Sequence, residues 1–169
     1  APQDYKEAVK WYRLAAEQGN DSAQFNLGTM YRKGDGVPQD YAEAVKWYRL
    51  AAEQGDAMAQ TNLGFMYEKG QGILQDYAEA VRLYRLAADQ GHARAQNKIG
   101  IIFEALLDDK TRALMWYRVS AMNGLDSGAS NYNRLRRGYF VQQGQLETLA
   151  RECINSNYQN CGTMEWSEW

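Results

Sequence analysis

Histidine and cysteine are scarce in this chain, neither sign of charge prevails, and no long apolar run interrupts it. Each scarcity removes a class of function. His92 is the single histidine, so acid–base or nucleophilic chemistry has one imidazole to draw on, and that one falls where a helix begins. One histidine with two cysteines, Cys153 and Cys161, cannot complete a tetrahedral metal set without carboxylates from elsewhere. No metal, cofactor or catalytic residue is therefore expected. The 19 basic and 21 acidic residues are interspersed and leave a net charge of -2, which gives no broad field for nucleic acid or an anionic membrane. Arg134, Arg136 and Arg137 form the one local cluster and read as a solvated helix face. No apolar stretch approaches the roughly 20 residues that cross a bilayer, so membrane insertion is not expected. Valine and isoleucine are sparse, and alanine, leucine, tyrosine and tryptophan supply most of the 45% hydrophobic content. That balance disfavours a β-rich fold and suits helices packed through small residues.

What the chain does contain is repetition. QDYKEAVKWYRLAAEQG starts at Gln3, QDYAEAVKWYRLAAEQG at Gln39 and QDYAEAVRLYRLAADQG at Gln75, each start 36 residues after the last. A period of that size is one helix pair. Between the copies lies a second pattern, DSAQFNLGTMYRKGDGVP from Asp21, DAMAQTNLGFMYEKGQGIL from Asp56 and a diverged HARAQNKIGIIFEALLDD from His92. Helix A is expected near residues 22–33, 57–69, 93–105 and 127–137, and helix B near 4–18, 40–54, 76–90 and 109–123. Asp4, Asp40 and Asp76 stand three residues before Glu7, Glu43 and Glu79, the spacing of a reciprocal capping box. Gly19, Gly55, Gly91 and Gly124 are placed to close helix B. The GDG and GQG segments connect helices and are not followed by the Lys-Ser or Lys-Thr of a phosphate-binding loop.

Three positional sets follow from comparing the copies. Ala23, Leu27, Gly28 and Tyr31 recur as Ala59, Leu63, Gly64 and Tyr67, and Tyr5, Ala8, Tyr12, Ala15 and Ala16 recur one unit later, which marks them as packing positions. The copies differ along a second stripe of helix A, which carries Phe25, Thr29 and Arg32, then Met58, Thr61, Phe65 and Glu68, then Arg94, Asn97 and Ile101. These variable positions together are the candidate partner-binding set, with the apolar side chains as the signal for recognition and the charges as a rim. Asn26 and Asn62 flank the stripe and suit either a ligand backbone or a helix-to-helix bond. Beyond the repeats, QLETLARECINSNYQNC reads as an amphipathic C-terminal capping helix within 138–161, with a disulfide between Cys153 and Cys161. MEWSEW in the final stretch, 162–169, reads as a flexible tail or a short aromatic motif.

The pattern Ala23-Leu27-Gly28-Met30-Tyr31-Gly34-Gly36-Val37, followed by Asp40-Tyr41-Ala44-Trp47-Tyr48-Ala51-Ala52-Gln54-Gly55, closely resembles the Sel1-like repeat, a relative of the tetratricopeptide repeat. The match runs over about residues 3–124, and the array is taken to extend over 1–137 with units near 21–56, 57–92 and 93–126. The resemblance implies an all-α, right-handed solenoid of antiparallel helix pairs whose A helices line a concave surface. It implies a protein or peptide partner held there, as in adaptors and scaffolds, and bacterial members are often exported. The start APQDY, inside the pattern and without Met, reads as a fragment or processed chain lacking the first helix of its unit. The expected role is thus a protein-binding module of the bacterial periplasm or of secreted material if the disulfide forms, and of the cytoplasm if it does not. A structural spacer and an envelope-polymer hydrolase stand as alternatives.

Overall fold

The computed structural model describes residues 4–138 and 143–156, together with Tyr158 and Cys161. Among these residues every regular element is an α-helix: α1 (Tyr5–Glu17), α2 (Asp21–Lys33), α3 (Tyr41–Glu53), α4 (Ala57–Lys69), α5 (Tyr77–Ala88), α6 (Ala93–Ala105), α7 (Lys110–Met122), α8 (Asp126–Gly138) and α9 (Gln143–Asn155). All eight expected repeat helices form within a residue or two of the expected bounds. The chain divides into two compact units, Ala1–Leu83 and Tyr84–Trp169, with the division inside α5. The MEWSEW segment lies outside the described residues.

Helix starts follow the aspartates, with one correction to the expected box. Asp40 Oδ1 accepts from the backbone N–H of Ala42 (2.9 Å) and Glu43 (3.0 Å), which satisfies donors that the first turn leaves free. The glutamates do not return the bond. Glu43 instead points forward to Lys46 Nζ (3.6 Å), and Glu79 takes two bonds from Arg82 at 2.7 and 2.8 Å. The reason is that the N-cap N–H already has a partner: Asp40 donates to the Tyr31 carbonyl (2.9 Å) and Asp76 to the Tyr67 carbonyl (3.1 Å). Helix B therefore begins by docking on the end of helix A before it.

Helix B ends are Schellman turns. Gly55 N–H donates to the Ala52 carbonyl (3.0 Å) and Asp56 N–H to the Ala51 carbonyl (3.1 Å), with Gly55 at φ +96°. A recurring buried glutamine then ties that end to the next helix A. Gln24 Nε2 donates to the Ala16 carbonyl (3.1 Å), Gln60 Nε2 to Ala52 (3.2 Å) and Gln96 Nε2 to Ala88 (3.1 Å). Its own carbonyl oxygen is also used: Gln54 donates to Gln24 Oε1, and Asn123 to Gln96 Oε1, both at 2.8 Å. Each glutamine is at most 4% exposed, and at Gln24 and Gln96 burial is tolerated because both ends of the amide are bonded.

In the first unit, α2 lies against both α1 and α3, and α3 lies against α4. Tyr48, Ala44, Ala51, Leu63 and Met66 form one core cluster and Val9, Ala16, Leu27 and Met30 another that Trp47 joins. Tyr48 is 0% exposed, and burying a side chain of that size contributes roughly 1.5–3 kcal/mol. Its ring sits where helix A has no side chain, because a Cβ on Gly28 would lie 2.9 Å from Tyr48 Cδ1. The glycine loop also packs: the place of a Cβ on Gly72 is 2.3 Å from the Tyr41 carbonyl carbon at the start of α3.

In the second unit, α7 is the central helix, touching α6, α8 and α9. Leu114, Trp116, Tyr117 and Val119 are buried along it. Arg118 binds Glu147 of α9 through two bonds (2.8 and 3.1 Å), and its guanidinium lies 5.6 Å from the centre of the Tyr132 ring. After α9, Cys153 and Cys161 form a disulfide with Cα atoms 4.3 Å apart. Within the closed loop, Tyr158 N–H donates to the Cys153 carbonyl (2.8 Å), and its hydroxyl accepts from Asn123 Nδ2 (3.0 Å). Tyr158 thus rests on the end of α7.

Candidate functional site

On α2, Phe25 is half-buried, its ring centre 5.9 Å from that of Tyr48. Thr29 shares a hydrogen bond with the Tyr48 hydroxyl (3.0 Å), and Arg32 Nε donates to the same oxygen (3.3 Å). On α4, Met58 is 49% exposed. Phe65 is half-buried beneath Lys69 Nζ, 5.9 Å from its ring centre, and Lys69 pairs with Glu68 at 2.8 Å. Thr61 is different, being 3% exposed with its hydroxyl donating to the Ala57 carbonyl (2.8 Å). It belongs to the packing. Asn26 bonds neither a neighbouring helix nor open space: its amide donates to the Ser22 carbonyl of its own helix (2.8 Å).

On α6, in the second unit, Arg94 and Ile101 are exposed. Asn97 is buried, 8% exposed, and accepts from Asn131 of α8 (3.0 Å). Glu104 takes two bonds from Arg134 (2.7 and 2.6 Å) and a third from the Tyr117 hydroxyl (2.7 Å). Arg134 is exposed, as expected of its cluster, and is also engaged across helices, because α8 brings it within reach of a carboxylate on α6. Arg136 and Arg137 are exposed as well, and with Asn133 they line a recess of about 330 Å³. His92 is the N-cap residue of α6, as its place in the sequence indicates. Among the described residues, no group of three or more His, Cys, Asp or Glu is placed to hold a metal ion.

The charge network in the second unit sets a pH dependence. The Arg134 guanidinium holds the Glu104 carboxyl below its usual range against the opposing cost of burial, and Tyr117 adds to the effect. Arg118 does the same for Glu147. Burial first, and the Glu104 carboxylate second, push the Tyr117 phenol well above its ordinary value. Carboxyls depressed in the folded state stabilise it fully above the unfolded value, about 4.3, and lose that contribution as pH falls through the folded value. The thermal midpoint should hold from neutral pH to about pH 5 and fall below about pH 4, and Glu104→Gln should flatten part of that fall. An acid limb unaltered by Glu104→Gln would show that the pair contributes nothing.

The tyrosines, which the repeat pattern marks as packing positions, also carry hydrogen bonds: Tyr48 to Thr29 and Arg32, and Tyr117 to Glu104. A signal existed, because Tyr48, Tyr84 and Tyr117 keep a hydroxyl at a position where phenylalanine would fill the same space.

The Sel1 repeat family model matches residues 1–20, 21–56, 57–92 and 93–125. Among solved structures, the crystal structure of a protective antigen present in uropathogenic Escherichia coli strains, which displays an SLR fold, is 38% identical with a TM-score of 0.77. The match covers 94% of this chain and 36% of that one, so the chain spans little more than a third of that relative. A Sel1 repeat protein from Oxalobacter formigenes is 33% identical with a TM-score of 0.75, covering 94% of this chain and 67% of the other. No curated protein matches. Proteins built on this all-α solenoid are generally protein-interaction modules and typically not enzymes. Four successive matches over most of the sequence, on helix pairs whose caps and glycines recur in register, show that the chain belongs to the Sel1 repeat family.

Proposed function

We propose that this chain is an adaptor that holds a peptide or protein partner on the exposed faces of its A helices, in an oxidising compartment such as the bacterial periplasm or outside the cell. The observation that supports this most is the exposure of large apolar side chains at positions that differ between copies. Met58 is 49% exposed and Ile101 39%, and half-buried Phe25 and Phe65 stand in the same stripe. A frame that repeats while its apolar surface varies is what partner selection requires, since the repeated residues are already committed to stacking. Burial removes Thr61 and Asn97 from the contact set. It leaves Phe25, Thr29, Arg32, Met58, Phe65 and Glu68 in the first unit and Arg94 and Ile101 in the second. The Cys153–Cys161 bridge supports the oxidising compartment, and likeness to a protective antigen fits a protein met outside the bacterial cytoplasm.

Phe25→Ser with Phe65→Ser should abolish co-purification of the native partner while the helical circular dichroism stays unchanged. Met58→Ser is the companion variant, since a side chain exposed by half can be shortened with little loss of packing. Undiminished capture by both variants would move the binding surface elsewhere.

A further inference from the structure

We propose that Arg32, positioned by the Tyr48 hydroxyl, forms a seat for a carboxylate carried by the partner. The inference rests on the adaptor reading above and names the chemistry of one of its contacts. Both units place a buried tyrosine beneath a helix A glycine, Tyr48 at Gly28 and Tyr117 at Gly100. Each ring carries its hydroxyl to the helix A residue four positions beyond that glycine. In the second unit that residue is Glu104, and the assembly is complete: the phenol donates to the carboxylate at 2.7 Å and Arg134 closes on it at 2.7 and 2.6 Å. In the first unit the same position holds the opposite charge. Arg32 Nε donates to the Tyr48 hydroxyl at 3.3 Å, Thr29 bonds that oxygen at 3.0 Å while its own hydroxyl also donates to the Phe25 carbonyl (3.0 Å), and no acidic side chain among the described residues pairs with the guanidinium.

Phenol and guanidinium are thus in place without the anion that unites them in the other unit. A guanidinium offers five donors in a planar fork that matches a carboxylate, and Arg32 is half-buried, where such a bond gains strength. Arg13 and Arg49 also bond tyrosine hydroxyls, those of Tyr31 and Tyr67. They differ in being exposed and in recurring with the frame, whereas position 32 reads Arg, Glu and Glu through the copies. By the repeat register, the place that Arg134 takes on α8 is held on α4 by Phe65. The matching ligand group is therefore a carboxylate next to an apolar side chain.

Three peptides test this: N-acetyl-Leu-Glu-Leu-amide, N-acetyl-Leu-Gln-Leu with a free C-terminal carboxylate, and N-acetyl-Leu-Gln-Leu-amide. The Arg32 Nε–H resonance of labelled protein, assigned with Arg32→Lys, reports the seat, and the Met58 methyl resonance reports the surrounding surface. At least one carboxylate-bearing peptide should shift Arg32 Nε–H, and which one does so identifies a side-chain or a terminal source. The amide should leave it unmoved, and Arg32→Gln should weaken the acid's binding roughly tenfold or more. Equal binding of acid and amide, or affinity unchanged in Arg32→Gln, overturns the seat while perturbed Met58 keeps the adaptor surface. Silence at Arg32 and Met58 with all three peptides overturns both.

Discussion

Gly72→Ala should destabilise the protein by about 2–5 kcal/mol, the sum of left-handed backbone strain and overpacking. Gly72 has φ +71°, and a Cβ built there meets the Tyr41 carbonyl carbon at 2.3 Å, its oxygen at 2.4 Å and the Ala42 nitrogen at 2.6 Å. Those atoms are the first turn of α3, so relief requires moving a helix rather than turning a side chain. Left-handed strain alone accounts for about 1–2 kcal/mol, and inserting a methyl where there is no room for it costs typically 1–3 kcal/mol. Gly55→Ala is the internal control. Its φ is +96° and nothing lies within 4 Å of the added atom, so it should lose the strain term only. Urea unfolding of the two variants separates the contributions, and equal losses would show that the glycine loop is a connector and does not brace α3.

Gly100→Ala should cost about 2 kcal/mol net, since overpacking of up to about 3 is offset by the roughly 1 kcal/mol that alanine gains in a helix interior. The sign carries the information: helix propensity alone predicts stabilisation. The added Cβ would lie 2.6 Å from both Cδ1 and Cε1 of Tyr117 and 3.3 Å from the Ala113 carbonyl oxygen. Tyr117 is 0% exposed, and its ring has no free direction in which to retreat. A displaced ring would also release its hydroxyl from Glu104. The phenol, now pushed up by burial and by that carboxylate, should then titrate nearer its ordinary range in an ultraviolet phenolate titration. Gly28→Ala should be milder, because Tyr48 Cδ1 stands at 2.9 Å. A stabilised Gly100→Ala with an unchanged phenol would contradict the packing assigned to this pair.

The helices and their ends were legible because three copies carry the same caps, so each boundary is signalled several times over. Other features depended on what lies across from a residue. Gln24, Gln60 and Gln96 recur as plainly as the alanines before them, yet their role requires knowing that a helix B carbonyl lies opposite. The Asp40 N–H, committed to Tyr31, likewise explains why Glu43 does not complete a capping box. Variation between copies located a stripe, but variation does not by itself mean exposure. Asn97 differs from its counterparts because it meets Asn131 of α8, and Thr61 turns its hydroxyl to its own helix. Arg134 is one of three exposed arginines, and its pairing with Glu104 depends on α8 lying across from α6.

The central claim, that specificity resides on the varying face of helix A over a repeated frame, is tested most directly by hydroxyl-radical footprinting of the protein with and without its partner. Met58, 49% exposed, is the most informative probe, because thioethers oxidise readily and this one lies in the stripe. Partner binding should slow oxidation of Met58 and Phe65 severalfold and leave Leu14 and Leu50, exposed on B helices, unchanged. Protection of Leu14 and Leu50 with Met58 still oxidised at its free rate would contradict the account.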